Sequence, residues 1–259
     1  MMLALFLQAL LLLTSPLAAT PGSHPGAHAG ARVLAVLNFD NNTGNADYDP
    51  MGRGLAAMLI SDLAASPELQ LIERERMQDL LKEQKMQQEA MFDSSTAVKA
   101  GRLLGAEFIA TGSLAAAAQE LRIDVRLIRV ATGEIVKTAR ATGPEDKLFH
   151  LEAQLAERLL KDLDIALSPE SAELMRKRQE ANRELGVSAF RDFSSGLFAM
   201  DNGDYIKAAE LIGPLLLRAP GSLVVELAYG EAKHRAALAA KEAARKKAND
   251  ALKGWFKKP

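Results

Sequence analysis

The chain contains no cysteine, so it can form no disulfide, no thiolate zinc centre and no catalytic thiol, and it offers no Cys for amino-terminal lipid attachment. A lipoprotein is therefore not expected. Net charge is equally scarce: 32 Lys and Arg face 33 Asp and Glu, which leaves no overall basic surplus for nucleic-acid phosphates. No nucleic-acid partner is expected. The four histidines, His24, His28, His150 and His234, are scattered and none has a partner at metal-ligand spacing. No Ser, His and Asp set is recognisable in local sequence either. No catalytic residue, metal ligand or cofactor site is assigned, and an enzyme is not expected.

Long apolar runs are absent beyond the amino terminus, where Leu3 to Leu13 precede Thr14, Ser15 and Pro16. That run is too short to span a bilayer as a helix and suits the core of a signal peptide. Cleavage before Thr20, after Leu17-Ala18-Ala19, is the favoured site; Ala27-His28-Ala29 is the alternative, and an uncleaved anchor is a further one, because no Lys or Arg precedes the run. Residues 1–19 are thus read as signal peptide. Residues 20–31, rich in Pro, Gly, His, Ser and Ala, form a spacer whose composition cannot bury a core.

Order is expected from Arg32. Val33 to Phe39 is an apolar run suited to a strand buried on both faces, followed by a polar loop from Asp40 to Asp49. Asp49 and Pro50 make an N-cap and first turn for a helix whose Leu55, Met58, Leu59 and Leu63 share a face. A strand over Leu69–Ile72 leads to a helix from about Glu75 to Gln88. A third helix, capped by Ser95 or Thr96, stops at Gly105. Phe108 to Leu114 reads as a strand. Leu121, Ile123, Val125 and Leu127 alternate with charged residues, and Thr132-Gly133-Glu134 turns that strand into a hairpin with Ile135 to Ala141. Pro144 opens a helix to about Leu163, and the composition change at 165–170 marks a domain boundary.

Three of these stretches resemble one family. Leu71-Ile72-Glu73-Arg74 with Met77 and Leu80-Leu81-Lys82-Glu83-Gln84 is similar to the strand-to-helix signature of the curli-assembly CsgG family and its flagellar and TolB-like relatives. Leu104-Gly105-Ala106-Glu107-Phe108 through Gly112-Ser113 resembles the next signature, and Thr132-Gly133-Glu134-Ile135-Val136 resembles the hairpin. The resemblance implies an α/β fold, a three-layer-like domain with a mixed sheet and helices over residues 32–165. It also implies a role in envelope assembly. Glu73, Arg74, Glu83, Gly105, Ala106, Gly112, Ser113 and Gly133 are its signature residues, read as structural, with a ligand contact at Glu73-Arg74 as the alternative. Channel-forming relatives carry a lipid on Cys and insert long hairpins. This chain has no Cys and only about six residues between Ser113 and Glu120, so pore-forming hairpins are not expected.

Residues 170–240 read as an all-α, tetratricopeptide-like region: Gly196, Gly203-Asp204-Tyr205, Ala208 and Pro220 fit one unit, and Gly230 follows Gly196 at that unit's period. A plain helical hairpin is the alternative. So short an array must dock on the first domain or on another chain. Residues 241–259 form a basic helical tail in which Lys246, Lys247, Lys253, Trp255 and Phe256 are candidate contacts for a partner or an anionic membrane surface.

Two motif-like features are set aside. Gly52-Arg53-Gly54-Leu55-Ala56-Ala57 satisfies G-x-G-x-x-A, but a ten-residue loop separates it from the preceding strand. Asp40, Asn42, Asp47 and Asp49 lack the spacing of a calcium loop. The sequence is therefore read as an exported, non-enzymatic periplasmic or outer-membrane-associated assembly or scaffold protein. Its expected partners are envelope proteins, possible self-association through the α/β domain included; a soluble periplasmic ligand-binding or sensor domain is the alternative.

Overall fold

Alternate residues of the first strand enter two different cores, which is why its sequence is apolar throughout. Leu34 and Val36 belong to one hydrophobic cluster, while Ala35 and Leu37 belong to the other. The computed structural model describes residues 31–73, 77, 79, 80, 83, 94–117 and 120–256, with side chains to Asp250 except that of Ala117.

Among the described residues six strands form one mixed sheet: β1 (Arg32–Val36), β2 (Asp40–Asn41), β3 (Leu69–Leu71), β4 (Phe108–Ala117), β5 (Glu120–Arg129) and β6 (Ile135–Pro144). Their order is β3-β1-β4-β5-β6, with β2 beside β4. β1 runs parallel to β3 and β4, whereas β4, β5 and β6 are successive antiparallel neighbours. Two helices, α1 (Met51–Leu63) and α3 (Leu148–Asp162), bury their apolar faces on one side of the sheet. The other side is covered at the β1 end by α2 (Ser94–Leu104), whose Ala97, Ala100 and Leu104 pack with Ile109 and Ile128. Met77, Asp79, Leu80 and Glu83 are helical, as the pattern over 75–88 predicts for them; the rest of that stretch lies outside the described residues.

Several boundaries differ from the sequence expectation for local reasons. β1 ends at Val36, short of Phe39, because the Phe39 N–H turns away to the Gly52 carbonyl at 3.2 Å. Asp49 does not cap α1: its carboxylate accepts the Asn41 amide at 2.6 Å, and Pro50 holds the cap position with no side-chain bond. Ser95 and Thr96 lie inside α2, which already begins at Ser94. Pro144 closes β6, where on an edge strand its missing N–H breaks no ladder, and it also caps the 3-10 turn Glu145–Lys147 that runs directly into α3, so the helical stretch opens where the pattern predicts.

After α3 the chain is helical: α4 (Pro169–Arg183), α5 (Gly186–Asp201), α6 (Tyr205–Ile212), the short α7 (Leu215–Arg218) and α8 (Leu223–Phe256). Ser168 caps α4 by accepting the Ser171 N–H at 3.2 Å. These helices pack on α1, and a single buried cluster runs from Leu34 through Phe149, Phe190 and Phe193 to Ala232. Gly54 makes the contact possible: a Cβ there would lie 2.1 Å from Ser194 Oγ and 2.6 Å from the Phe190 ring. Gly196 does the same between α5 and α6, where a Cβ would come within 2.4 Å of Ile212 Cγ1. Gly230, at the repeat period, has nothing within 4 Å, so the second half-unit does not reproduce that approach.

Candidate docking cleft and buried carboxyl pair

Where the helical region meets the α/β layers, they leave a cleft of about 800 Å³. Its floor is apolar, with Ala57 and Ile60 from α1, Phe193 and Leu197 from α5, and Val224 and Leu227 from α8. Leu227 is 64% exposed, an apolar side chain held at the mouth. The rim is acidic: Glu73, Asp79, Glu83 and Glu231 stand against Arg178 and Arg235. Arg235 is already engaged, bonding Glu231 at 2.7 Å and Asp79 at 3.1 Å, and its guanidinium pKa is raised by those two carboxylates. The structure therefore brings Glu73 and Glu83, ten residues apart in sequence, to one site. An apolar trough with an acidic rim suits a segment of another macromolecule that offers apolar side chains beside cations.

Beneath this cleft lies a pair of carboxyl groups that sequence reasoning missed. Asp62 of α1 is fully buried and Glu152 of α3 is 1% exposed. Both Asp62 oxygens and Glu152 Oε1 are without a hydrogen-bond partner among the described residues, as are Ser61 Oγ, Gln179 Nε2 and Asn182 Nδ2. Burial pushes the Asp62 carboxyl up to about 7, although the Gln179 amide and then Arg178 and Arg183 pull the other way. Glu152 is raised well above the ordinary range by burial and then by repulsion from Asp62, against the pull of Arg183. Two such groups cannot both ionise without loss. Helix α4 is tied to its neighbours on two sides: Arg178 donates to the Ser61 carbonyl of α1, and Ser222, just before α8, donates to Asn182 Oδ1 at 2.9 Å. Ser61 and Arg178 also line the cleft.

The other sequence-assigned residues are placed elsewhere. Gly105 (φ +70°) ends α2 and Gly133 (φ +75°) sits in the β5–β6 turn, both in the conformation that glycine adopts without strain. Ala106 is buried in the smaller core. Gly112 leaves room for the Phe39 ring, which a Cβ would meet at 2.3 Å. Ser113 faces a polar recess of about 670 Å³ on the open part of the sheet. There Asp124 accepts Arg122 and Arg140, each at 2.7 Å. Lys246 and Lys247 are exposed on α8; Arg74 and the side chains of Lys253, Trp255 and Phe256 lie outside what is described.

Neither feature set aside in the sequence gains support from the geometry. Gly52 is required because a Cβ would fall 1.8 Å from the Phe39 carbonyl oxygen, and Gly54 because of Phe190 and Ser194, so both glycines serve packing. In the Asp40 to Asp49 loop Asn41 donates to the Asn45 carbonyl at 2.7 Å and to Asp49, and Asn45 Oδ1 accepts the Asp47 N–H at 2.9 Å. Among the described residues no three His, Asp or Glu gather as a metal site, and no helix is long and apolar enough to cross a membrane.

Comparison with solved structures finds similar chains at low identity. The LpoB C-terminal domain from Salmonella enterica is 20% identical with a TM-score of 0.38, covering 46% of this chain and 87% of its own. Lipoprotein GNA1162 from Neisseria meningitidis is 13% identical with a TM-score of 0.40, covering 52% and 99%. The PelC dodecamer from Paraburkholderia phytofirmans is 16% identical with a TM-score of 0.35, covering 54% and 93%. No curated protein matches the chain. Residues 21–122 match the family model described as curli production assembly/transport component CsgG. The third signature-like stretch, around Gly133, lies beyond that range. The signature stretches around Glu73 and Gly112 fall inside it, and over residues 21–122 the chain is a match to the CsgG family.

Proposed function

We propose that the protein is a non-enzymatic scaffold of the bacterial cell envelope, periplasmic or associated with the outer membrane after export, that holds a partner at the junction of its two parts. The observation that carries this reading is the cleft. It joins residues of the CsgG-matching segment, Ala57, Glu73 and Glu83, to residues of the helical region, Phe193 and Leu227. A partner seated there touches both parts at once, as a scaffold requires. The α5–α6 pair, closed on Gly196, is the tetratricopeptide-like element of the design, and its α5 supplies one wall.

The test is affinity capture of the chain from cross-linked envelopes, identified by mass spectrometry, with Leu227→Arg as the comparison. Leu227 is mostly exposed, so the substitution leaves the fold intact while it removes an apolar contact and adds a cation to the cleft. The reading predicts a small set of envelope proteins whose recovery drops in the variant. Recovery of the same proteins in the same amounts from both chains contradicts it.

A further inference from the structure

The last helix carries the chain's charge imbalance. From Lys233 to Pro259 there are nine Lys or Arg and only two acids, Glu242 and Asp250, a surplus of seven positive charges. The remainder of the chain holds the other 23 cations against 31 acids, a deficit of eight. A near-neutral total thus conceals an acidic body and a basic arm. The arm also stands apart in space. Among the described side chains of α8 the last buried one is Ala232, and from Leu238 to Asp250 every residue is exposed, while the helix continues unbroken to Phe256. At 1.5 Å per residue, the helix beyond Ala232 is about 36 Å long. A helix without a packed face is only marginally stable in water.

We infer that the arm of one copy of this chain docks in the acidic-rimmed cleft of a second copy. This deepens the scaffold reading and rests on it. The charges match: Lys241, Arg245, Lys246 and Lys247 meet a rim bearing Glu73, Asp79, Glu83 and Glu231, while of the two cations that partly neutralise it Arg235 is held by Asp79 and Glu231 and Arg178 by the Ser61 carbonyl. The chemistry matches as well, because the arm ends in Trp255-Phe256 and the floor offers Ile60, Phe193, Leu197 and Leu227. Aromatic rings in an apolar trough, ringed by cation–carboxylate pairs, form the usual anatomy of an interface. Reciprocal exchange of arms closes a dimer; one-way docking builds a chain of copies.

Two sequence facts make the test direct. Trp255 is the only tryptophan, so its emission reports the arm alone, and the absence of cysteine lets one introduced pair be cross-linked without background. The chain without its signal peptide is compared with a form ending at Ala240 and with Leu227→Arg, by sedimentation and by Trp255 fluorescence. The full chain should self-associate at low salt with a blue shift of Trp255 emission, and should dissociate as salt shortens the screening length to a few ångströms, near 1 M. The truncated form and Leu227→Arg should each be monomeric. Mixed together, they should form a complex, because one supplies the cleft and the other the arm; this rescue separates loss of docking from loss of folding. An introduced Cys pair, Leu227→Cys with Ala244→Cys, should cross-link between copies. A full chain that stays monomeric at low salt, or a mixture that does not associate, overturns the proposal. If Trp255 shifts only with vesicles containing anionic lipid, and equally in Leu227→Arg, the occupant is a membrane and the proposal is wrong. Retained capture of envelope proteins by the Ala240 form would then leave the scaffold reading standing alone.

Discussion

Asp62→Asn should gain stability relative to wild type steadily as pH rises from mild acid to above neutral. The Asp62 carboxyl is held at about 7 against an ordinary value of 3.8, chiefly by burial. A group raised on folding contributes its full stability below the unfolded value and loses it as pH climbs to the folded value. Each pH unit between those limits is worth about 1.4 kcal/mol. From pH 5 to pH 8 roughly two such units are crossed, so wild type should lose about 2–3 kcal/mol relative to the variant. Glu152 adds to the loss in the wild-type chain because its own raised carboxyl includes repulsion from Asp62. In Asp62→Asn the repulsion is gone, and Arg183 remains opposite Glu152. At pH 5 part of the difference is already present, because Asp62 ionises above 3.8 in the unfolded chain while it stays neutral when folded; against it, the Asn side chain brings buried amide donors that need partners. Urea unfolding followed by circular dichroism at pH 5, 6.5 and 8 measures the effect. If the difference between wild type and Asp62→Asn is constant across those pH values, Asp62 is not held neutral by its burial and the reasoning fails.

Other outcomes follow from particular contacts. Gly52→Ala places a methyl 1.8 Å from the Phe39 carbonyl oxygen and should destabilise by about 3 kcal/mol or more. Gly105→Ala, at φ +70° with open space around it, should cost only about 1–2 kcal/mol; thermal melts that rank them the other way would contradict the packing assigned to α1. Removal of residues 241–259 should leave the melting temperature unchanged within error and weaken binding to anionic vesicles, the loss shrinking as salt rises; equal binding by both forms would show that the arm makes no such contact. The exported protein should begin between Thr20 and Gly30 and be released by osmotic shock, and recovery only in detergent would refute a cleaved signal.

The order of elements was legible because its signals are local. Alternation in Leu121 to Leu127, the helical stripe from Leu148 to Leu163, and glycines at 105 and 133 each act within a few residues. Boundaries were less legible wherever a distant partner decides them, as when Asn41 takes the Asp49 carboxylate or Gly52 draws the Phe39 N–H. The signature residues show the same division. Gly105, Ala106, Gly112 and Gly133 sit at packing or turn positions, whereas Glu73 and Glu83 share a cleft wall whose other half lies more than a hundred residues away. No periodicity could join Ala57 to Phe193 and Leu227. The buried carboxyls did leave a trace in the sequence: Asp62 follows Met58 by four, and Glu152 follows Leu148 by four, which places each on the apolar face of its helix. A charged residue on that stripe is the mark of a buried polar contact, and its partners on α4 appear only once the chain has folded.

Site-specific photo-cross-linking from position 227 in intact cells tests the central claim most directly. With a photoreactive residue in place of Leu227, the account predicts discrete adducts to envelope proteins, a second copy of this chain among them, and their loss when Ile60 at the cleft floor is changed to Arg in a chain that still folds. Position 227 yielding no protein adduct in intact cells, or the same adducts with the cleft floor charged, would contradict it.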